Sequence, residues 1–136
     1  MSLIMYTTFG VSDLARSTAF YDAVFDALGV KRSEDVSEGW AAWGPDYHGG
    51  ASFWICKPFD GKPPSHGNGT MIALRARNEA EVVAFYEAAL AHGGADEGAP
   101  GTRPYYEPSF YVAYARDPDG NKLACVYHHH DPKERD

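Results

Sequence analysis

Tyrosine and tryptophan are the side chains of this sequence best suited to hold a small molecule. Tyr105 and Tyr106 are adjacent, between Pro104 and Pro108, in a stretch rich in loop-forming residues. Paired tyrosines on a proline-stiffened loop are typical of a lid over a flat or apolar ligand, because the rings give contact area and the hydroxyls give orientation. Other aromatics lie in strand-like segments and are expected to line a binding cavity or to belong to the core: Tyr6, Trp43, Trp54, Tyr111 and Tyr114.

Few polar residues have an arrangement that indicates catalysis. Arg103 and Arg116 could each pair with an anionic group of a ligand or form a surface ion pair. Three histidines at 128–130 look like a metal-binding tract, but strand neighbours point to opposite faces and a polar tail follows, so we predict a solvated tail. His48 and His66 are predicted to be surface residues, with acid–base roles at a cavity mouth as the alternative. No serine or cysteine lies in a recognisable nucleophile turn.

Composition narrows the class of protein. The chain has 136 residues, 44% of them hydrophobic, and a net charge of −7. This charge disfavours nucleic-acid binding, and no apolar run approaches the roughly 20 residues of a membrane span. The first residues lack the basic region of a signal peptide, and Cys56 and Cys125 sit in apolar runs like reduced core thiols, so we expect a cytoplasmic protein.

An internal repeat organises the chain. The letters AFYDA at 19–23 return as AFYEA at 84–88, an offset of 65 residues. A repeat of this size predicts two similar modules that share one domain, at about 4–60 and 68–130, with a polar tail at 131–136. Two further pairs stand at the same offset: Asp13 with Asn78, and Gly29 with Gly94.

The first module is predicted to begin with a strand at 4–11 and a helix capped by Asp13 and ended by Gly29. Segments 40–43 and 51–56 are predicted to form a hairpin, because a turn-rich stretch separates them. A short strand at 31–35 is the weakest element.

The second module repeats this order. A strand at 70–76 precedes a helix that Asn78 caps, and a long loop is predicted at 97–108. Strands at 110–116 and 122–127 flank the sequence DPDGN, a strong signal for a tight turn. Each module is therefore predicted to be β-α-β-β-β.

Four segments in this order resemble the glyoxalase/bleomycin-resistance/extradiol-dioxygenase superfamily, also called vicinal oxygen chelate. The resemblance implies an α+β fold in which two β-α-β-β-β modules pair into one cup-shaped mixed β-sheet domain with helices outside. It also implies a homodimer and a divalent metal in the cup. The segments are VSDLARSTAFY at 11–21, GNGTMIA at 67–73, GGADEGAPG at 93–101 and RDPDGNK at 116–122.

The family's metal-ligand positions carry unsuitable residues in this chain. By the resemblance they fall on Tyr6, Met71 and Ala124, and the alignment of Gly50 with Gly120 puts the fourth near Trp54. A thioether and an alanine cannot hold a hard divalent ion, and one tyrosine cannot make a site. We therefore expect no metal cofactor.

The resulting expectation is a metal-free member of the family that binds a small organic molecule, for which an aromatic compound is a candidate. An enzyme with an unconventional site, similar to glyoxalase or dioxygenase, is the first alternative. A structural or interaction protein whose cup is plugged by side chains is the second. The expected ligand-binding residues are Tyr6, Trp43, Trp54, Met71, Tyr105, Tyr106, Tyr111 and Ala124.

Overall fold

The first half of the chain forms a three-stranded sheet with one helix. The computed structural model describes residues 2–45 and 50–131. The half contains β1 (Tyr6–Gly10), α1 (Leu14–Asp26), β2 (Trp40–Trp43) and β3 (Ser52–Cys56). Its strand order is β1-β3-β2, with β1 parallel and β2 antiparallel to β3.

Two predictions for this half need comment. The strand expected at 31–35 is reduced to a single bridge between Arg32 and Trp43. The hairpin of β2 and β3 is confirmed, but residues 46–49 of its turn, including His48, lie outside the described residues.

The second half forms a four-stranded sheet with one helix. It contains β4 (Met71–Arg75), α2 (Glu79–Ala91), β5 (Ala95–Gly101), β6 (Tyr111–Arg116) and β7 (Lys122–Tyr127). The order is β4-β7-β6-β5, so the first and last strands of each half are parallel neighbours.

The loop predicted at 97–108 is wrong in its first part. Residues up to Gly101 belong to β5, which pairs antiparallel with β6. Its register shifts twice, between Asp96 and Gly98 and between Gly98 and Gly101. An edge strand with bulges tolerates proline and glycine, which is why its composition resembled a loop.

The internal repeat appears as equivalent elements. The bounds of β4 and α2 lie 65 residues after those of β1 and α1. The helix caps repeat as well, because Asp13 accepts a hydrogen bond from Arg16 N and Asn78 accepts one from Glu81 N. The α+β fold of two similar modules is thus confirmed.

The core lies where each helix covers one face of its own sheet. In the first half, Phe20, Tyr21 and Phe25 pack with Phe53 and other buried residues. In the second half, Val82, Phe85 and Ala89 of α2 are buried, and the helix contacts β5, β6 and β7. The two helices also contact each other. The opposite face of each sheet carries no helix and is called here its open face.

A buried polar network joins the halves. Tyr21 Oη donates to Asp117 Oδ2 at 2.6 Å, and Asn121 Nδ2 donates to Gly10 O at 3.0 Å. Asp119, in the same β6–β7 turn, accepts hydrogen bonds from the Ser12 hydroxyl and backbone. The DPDGN turn therefore does more than reverse the chain, since it fastens the second half to the start of α1.

No helix among residues 2–45 and 50–131 has the length and apolar character needed to cross a membrane.

Candidate ligand-binding site

The pleat of each sheet decides which side chains reach its open face. In the first sheet Phe9 points to the helix, so Tyr6 lies on the open face. Strand register places Trp54 beside Thr8, two residues after Tyr6, on this same face. In the second sheet the equivalent pair is Ala124 beside Ala73. The predicted equivalence of Trp54 and Ala124 therefore agrees with the strand pairing.

The open face of the first sheet carries an aromatic pocket of about 340 Å³, lined by Met5, Tyr6, Trp40 and Trp54. The Trp54 ring contacts Tyr6 and Trp40 edge-on, at centroid distances of 6.4 and 5.7 Å. Its indole Nε1 donates to Ser52 Oγ at 2.9 Å. All four lining side chains are apolar or aromatic, so this pocket offers contact area and few polar groups.

The open face of the second sheet carries a larger cavity of about 490 Å³, called here the cationic cup. Its floor comes from β4, β6 and β7, one wall from residues 67–70, and its rim from residues 102–110, between β5 and β6. Two turns shape this rim, closed by Tyr106 N donating to Arg103 O and Phe110 N donating to Glu107 O. Its lining side chains include Met71, Glu97, Arg103, Tyr105, Tyr106, Tyr114, Arg116 and Lys122.

Glu97 and Arg116 form an ion pair in the cup. Arg116 Nε donates to Glu97 Oε1 at 2.5 Å, and Arg116 Nη1 donates to Gly120 O at 2.7 Å. The hydrogen bond from Arg116, helped by its charge and that of Lys122, lowers the pKa of Glu97. The carboxylate is therefore charged at neutral pH and remains ion-paired with Arg116.

Tyr114 lies between the cations and the rim. Arg103 Cζ lies 5.6 Å and Lys122 Nζ 5.2 Å from the centroid of its ring. Its hydroxyl donates to Tyr106 Oη at 3.3 Å. Burial, followed by the hydrogen bond with Tyr106, raises the pKa of Tyr114 to about 12, so the phenol stays protonated at neutral pH.

Five of the eight expected ligand-binding residues line these cavities, but they are divided between two. Tyr6 and Trp54 line the aromatic pocket, whereas Met71, Tyr105 and Tyr106 line the cationic cup. Tyr6 and Met71 occupy equivalent places on β1 and β4, 54% and 44% exposed. The expectation that they face one interior is wrong for the single chain, because each sheet presents its own open face.

Trp43 and Tyr111 do not lie on an open face. Trp43 is fully buried, stacks on Phe25 at 5.5 Å and donates from Nε1 to Asp22 Oδ1 at 3.1 Å. Tyr111 is buried on the helix side of the second sheet, with its ring 5.0 Å from that of His130. Alternation along β2 and β6 puts both on the core side, so their assignment to the cup is wrong. Ala124 lies on the open side but is covered.

The histidine triplet is solvated only in part, because His128 and His129 are exposed and His130 is partly buried. His130 Nδ1 lies 3.1 Å from Glu79 Oε1, and its backbone N donates to Ser109 O. His128 pairs with Glu107 on the rim. These contacts hold residues 128–130 against the second half, whereas residues 132–136 lie outside the described part of the chain. His66, as expected, is exposed, and it packs over Gly120.

The donors present do not fit the family's divalent metal. Of the four positions that the resemblance maps to metal ligands, three carry Tyr, Met and Trp on the open faces, and the fourth is a buried alanine. Within residues 2–45 and 50–131, no group of three His, Cys, Asp or Glu side chains is arranged to hold a metal ion. Hard divalent ions need several oxygen or imidazole ligands, and the side chains at the four mapped positions do not supply them.

Sequence reasoning missed Lys122, Glu97 and Trp40. It named Tyr114 as a residue of the cavity or the core but did not include it in the expected ligand-binding set. A signal for Lys122 was present, because it lies two residues before Ala124 on the same strand and so shares its face. Tyr114 faces Ala124 across the β6–β7 pair, a register that the DPDGN turn sets. Glu97 had no such signal, since β5 was not recognised as a strand.

The comparisons with known proteins identify the family of this chain. Residues 3–125 match the model of the Glyoxalase/Bleomycin resistance protein/Dioxygenase superfamily. The chain belongs to this superfamily. A search of curated proteins found no match.

Solved structures give the same result. A glyoxalase/bleomycin resistance protein from Albidiferax ferrireducens T118 is 34% identical, with a TM-score of 0.79, over 92% of this chain and 98% of that one. A glyoxalase-related enzyme from Fulvimarina pelagi is 20% identical, with a TM-score of 0.70, over 93% and 88%. Glyoxalase I from Zea mays is 21% identical, with a TM-score of 0.66; the match covers 95% of this chain but 46% of the maize chain. The last two likenesses concern the fold alone.

Proposed function

We propose that this superfamily member binds a small organic molecule in the cationic cup without the help of a divalent metal. The observation that carries the proposal is the lining of the cup. It combines a mainly polar and charged surface with the aromatic rings of Tyr105, Tyr106 and Tyr114, and convergent polar groups are what orient a ligand in a pocket. The family's metal positions hold Met71 and Ala124.

The rim supports a binding role. Tyr105 is 76% exposed and Tyr106 is 42% exposed, and their rings contact each other at a centroid distance of 4.8 Å. Exposed aromatic rings have few contacts with the protein to give up when they close on a ligand. The new contact removes apolar area from water. A cup plugged by side chains is disfavoured, because a cavity of about 490 Å³ remains beneath this rim.

An enzyme remains the second candidate, favoured by the carboxylate of Glu97 in the cup. A general base works best when its pKa lies near the working pH. The pKa of Glu97 is lowered by Arg116 and that of Tyr114 is raised to about 12. Neither group is poised for proton transfer at neutral pH, so binding is the better supported function.

The protein is further proposed to be a cytoplasmic homodimer. The superfamily resemblance implies a dimer, and the open face of the first sheet supports it. Met5, Tyr6 and Trp40 are each about half exposed on this one surface. Clustered apolar surface of this kind is typical of an interface, and a second copy of the chain would cover it.

The metal-free state leads to a direct prediction. Elemental analysis of tag-free protein should find less than a stoichiometric amount of Zn²⁺, Fe²⁺, Mn²⁺ or Ni²⁺. The melting temperature should stay the same with and without a chelator, because no ion contributes binding energy to the folded state.

The histidine triplet requires a control, since it could hold metal by itself. A variant with His128→Ala, His129→Ala and His130→Ala should be analysed in parallel. One equivalent of metal that survives in this variant, and whose removal lowers the melting temperature, would contradict the proposal.

A further inference from the structure

The charge of the cup is opposite to that of the whole molecule. The chain has a net charge of −7, yet the side chains that line the cup include Arg103, Arg116 and Lys122 against one carboxylate, that of Glu97. Glu97 is engaged by Arg116. Two cations, Arg103 and Lys122, therefore remain in the cup without an ion-pair partner within the described part of the chain.

Neither of these two cations forms an ion pair in the described part of the chain. Arg103 donates to two backbone carbonyls, Ala99 O at 2.7 Å and Thr102 O at 3.2 Å, and uses part of its five N–H groups. Lys122 is near enough to Glu97 for its charge to lower that pKa, but the two form no ion pair in the described structure. What Arg103 and Lys122 share is the ring of Tyr114.

Arg103 and Lys122 both lie against the ring of Tyr114. Cation–π attraction to Tyr114 offsets part of their repulsion, but it neutralises neither charge. An anion that enters the cup beside Tyr114 can form charge-assisted hydrogen bonds with these cations. The hydroxyl of Tyr106 accepts from that of Tyr114 and keeps its own O–H to donate at the same place.

The remaining lining limits the shape of such an anion. Met71 lies at the start of β4 on the same open face, and Tyr105 and Tyr106 stand on the rim. These side chains present flat or polarisable apolar surface, which suits a ring or an unsaturated chain better than a fully hydrated ion.

We propose that the cationic cup selects an organic anion with a planar apolar body, its carboxylate or phosphate held by Lys122 and Arg103 beside Tyr114. This inference rests on the proposed binding function and names the ligand class for it. Glu97 has the opposite effect, because it engages Arg116 and repels an anion.

Matched probes test the proposal. Binding of 2-naphthoate, of its neutral isostere 2-naphthamide, and of 1-naphthyl phosphate is measured by ligand-observed NMR at low and at high salt. We expect 2-naphthoate or 1-naphthyl phosphate to bind roughly tenfold or more tightly than the amide, with the difference shrinking as salt screens the charges. The stronger of the two anions identifies the charged group.

Variants assign the effect to the named residues. Lys122→Met and Arg103→Met should each lower the affinity for the anion by roughly tenfold and leave the affinity for the amide unchanged. Glu97→Gln should raise the affinity for the anion, because it removes a negative charge from the cup and the ion-pair partner of Arg116. Lys62→Met, on an exposed linker lysine, is the matched control and should change neither. Melting temperatures verify that each variant is folded.

The outcomes separate the inference from the function beneath it. Equal affinity for naphthoate, naphthyl phosphate and naphthamide, unaffected by Lys122→Met and Arg103→Met, would overturn the inference and leave the binding function standing. Absence of binding by all three probes would overturn both.

Discussion

At the scale of single residues, the cup depends on which tyrosines face it. Tyr106 joins the rim to the floor, because its hydroxyl meets that of Tyr114 and its ring lies 5.0 Å from Phe110. Tyr105 contacts Tyr106 and is otherwise mostly exposed. The two neighbours are therefore not equivalent, although the sequence presents them as a pair.

Tyr106→Ala is expected to lower the affinity for 2-naphthoate by roughly tenfold, because a tyrosine that packs on an apolar ligand contributes on the order of 1–2 kcal/mol to the binding free energy. Tyr105→Ala should have a smaller effect, and Tyr106→Phe should separate the ring from the hydroxyl. Titration followed by NMR gives the affinities. Unchanged affinity together with a large fall in melting temperature would mean that Tyr106 is a core residue.

The hydroxyl of Tyr21 belongs to the buried network that joins the two halves. Its hydroxyl donates to Asp117, burial raises its pKa well above the usual range, and it therefore acts as a neutral donor. Tyr21→Phe removes one charge-assisted hydrogen bond but keeps the ring and the other donors to Asp117, which come from Asp119 and Asn121.

We expect Tyr21→Phe to lower the free energy of unfolding by about 1.5–3 kcal/mol, as measured by urea denaturation. Tyr86→Phe, on α2 outside this network, is the comparison and should cost less. A Tyr21→Phe variant as stable as the parent would show that the network does not hold the halves together.

At the scale of elements, the two helices begin in the same way with different charges. Asp13 and Asn78 cap equivalent ends, but position 81 is glutamate where position 16 is arginine. Glu81 accepts hydrogen bonds from the backbone and side chain of Arg77, and these bonds lower the pKa of Glu81. An acidic residue in the first turn also interacts favourably with the helix dipole. The first turn of α1 has no acidic residue.

The caps can be compared directly. Asn78→Ala and Asp13→Ala should each lower the free energy of unfolding by about 1 kcal/mol, because each leaves one backbone N–H at the helix start without its acceptor. Urea denaturation of the two variants measures both values. Ala80→Ser, on an exposed position of the first turn, is a control, and equal losses at all three positions would argue against a specific capping effect.

At the scale of the whole molecule, each sheet has one face covered by a helix and one face open. The open face of the first sheet is aromatic and that of the second is cationic. A single chain leaves both exposed, which is the physical reason to expect a dimer.

The purified protein is expected to have about twice the 14.9 kDa chain mass in size-exclusion chromatography with light scattering. Trp40→Lys should shift it toward the monomer, because it places a charge on the aromatic face. Phe59→Lys, at a fully exposed position outside that face, is the matched control and should remain dimeric. A monomer at tens of micromolar concentration would refute the dimer.

The sequence by itself determined the repeat, the helix caps, the DPDGN turn and the fold class, because these depend on local spacing and backbone preference. Alternation along a strand was equally readable, and it would have placed Lys122 beside Ala124. It did not show which face was covered, so Trp43 and Tyr111 were assigned to the wrong side. That choice depends on where α1 and α2 pack.

Tertiary structure alone decided three further features of the site. It showed that β5 is a strand, since a bulged edge strand needs only one partner and can therefore contain proline and glycine. It brought Arg103, Arg116 and Lys122 from the rim and two strands around Tyr114. It also divided the expected cup between two open faces, because the halves are joined through their helices and the Asp117–Asn121 turn, which leaves the far side of each sheet uncovered.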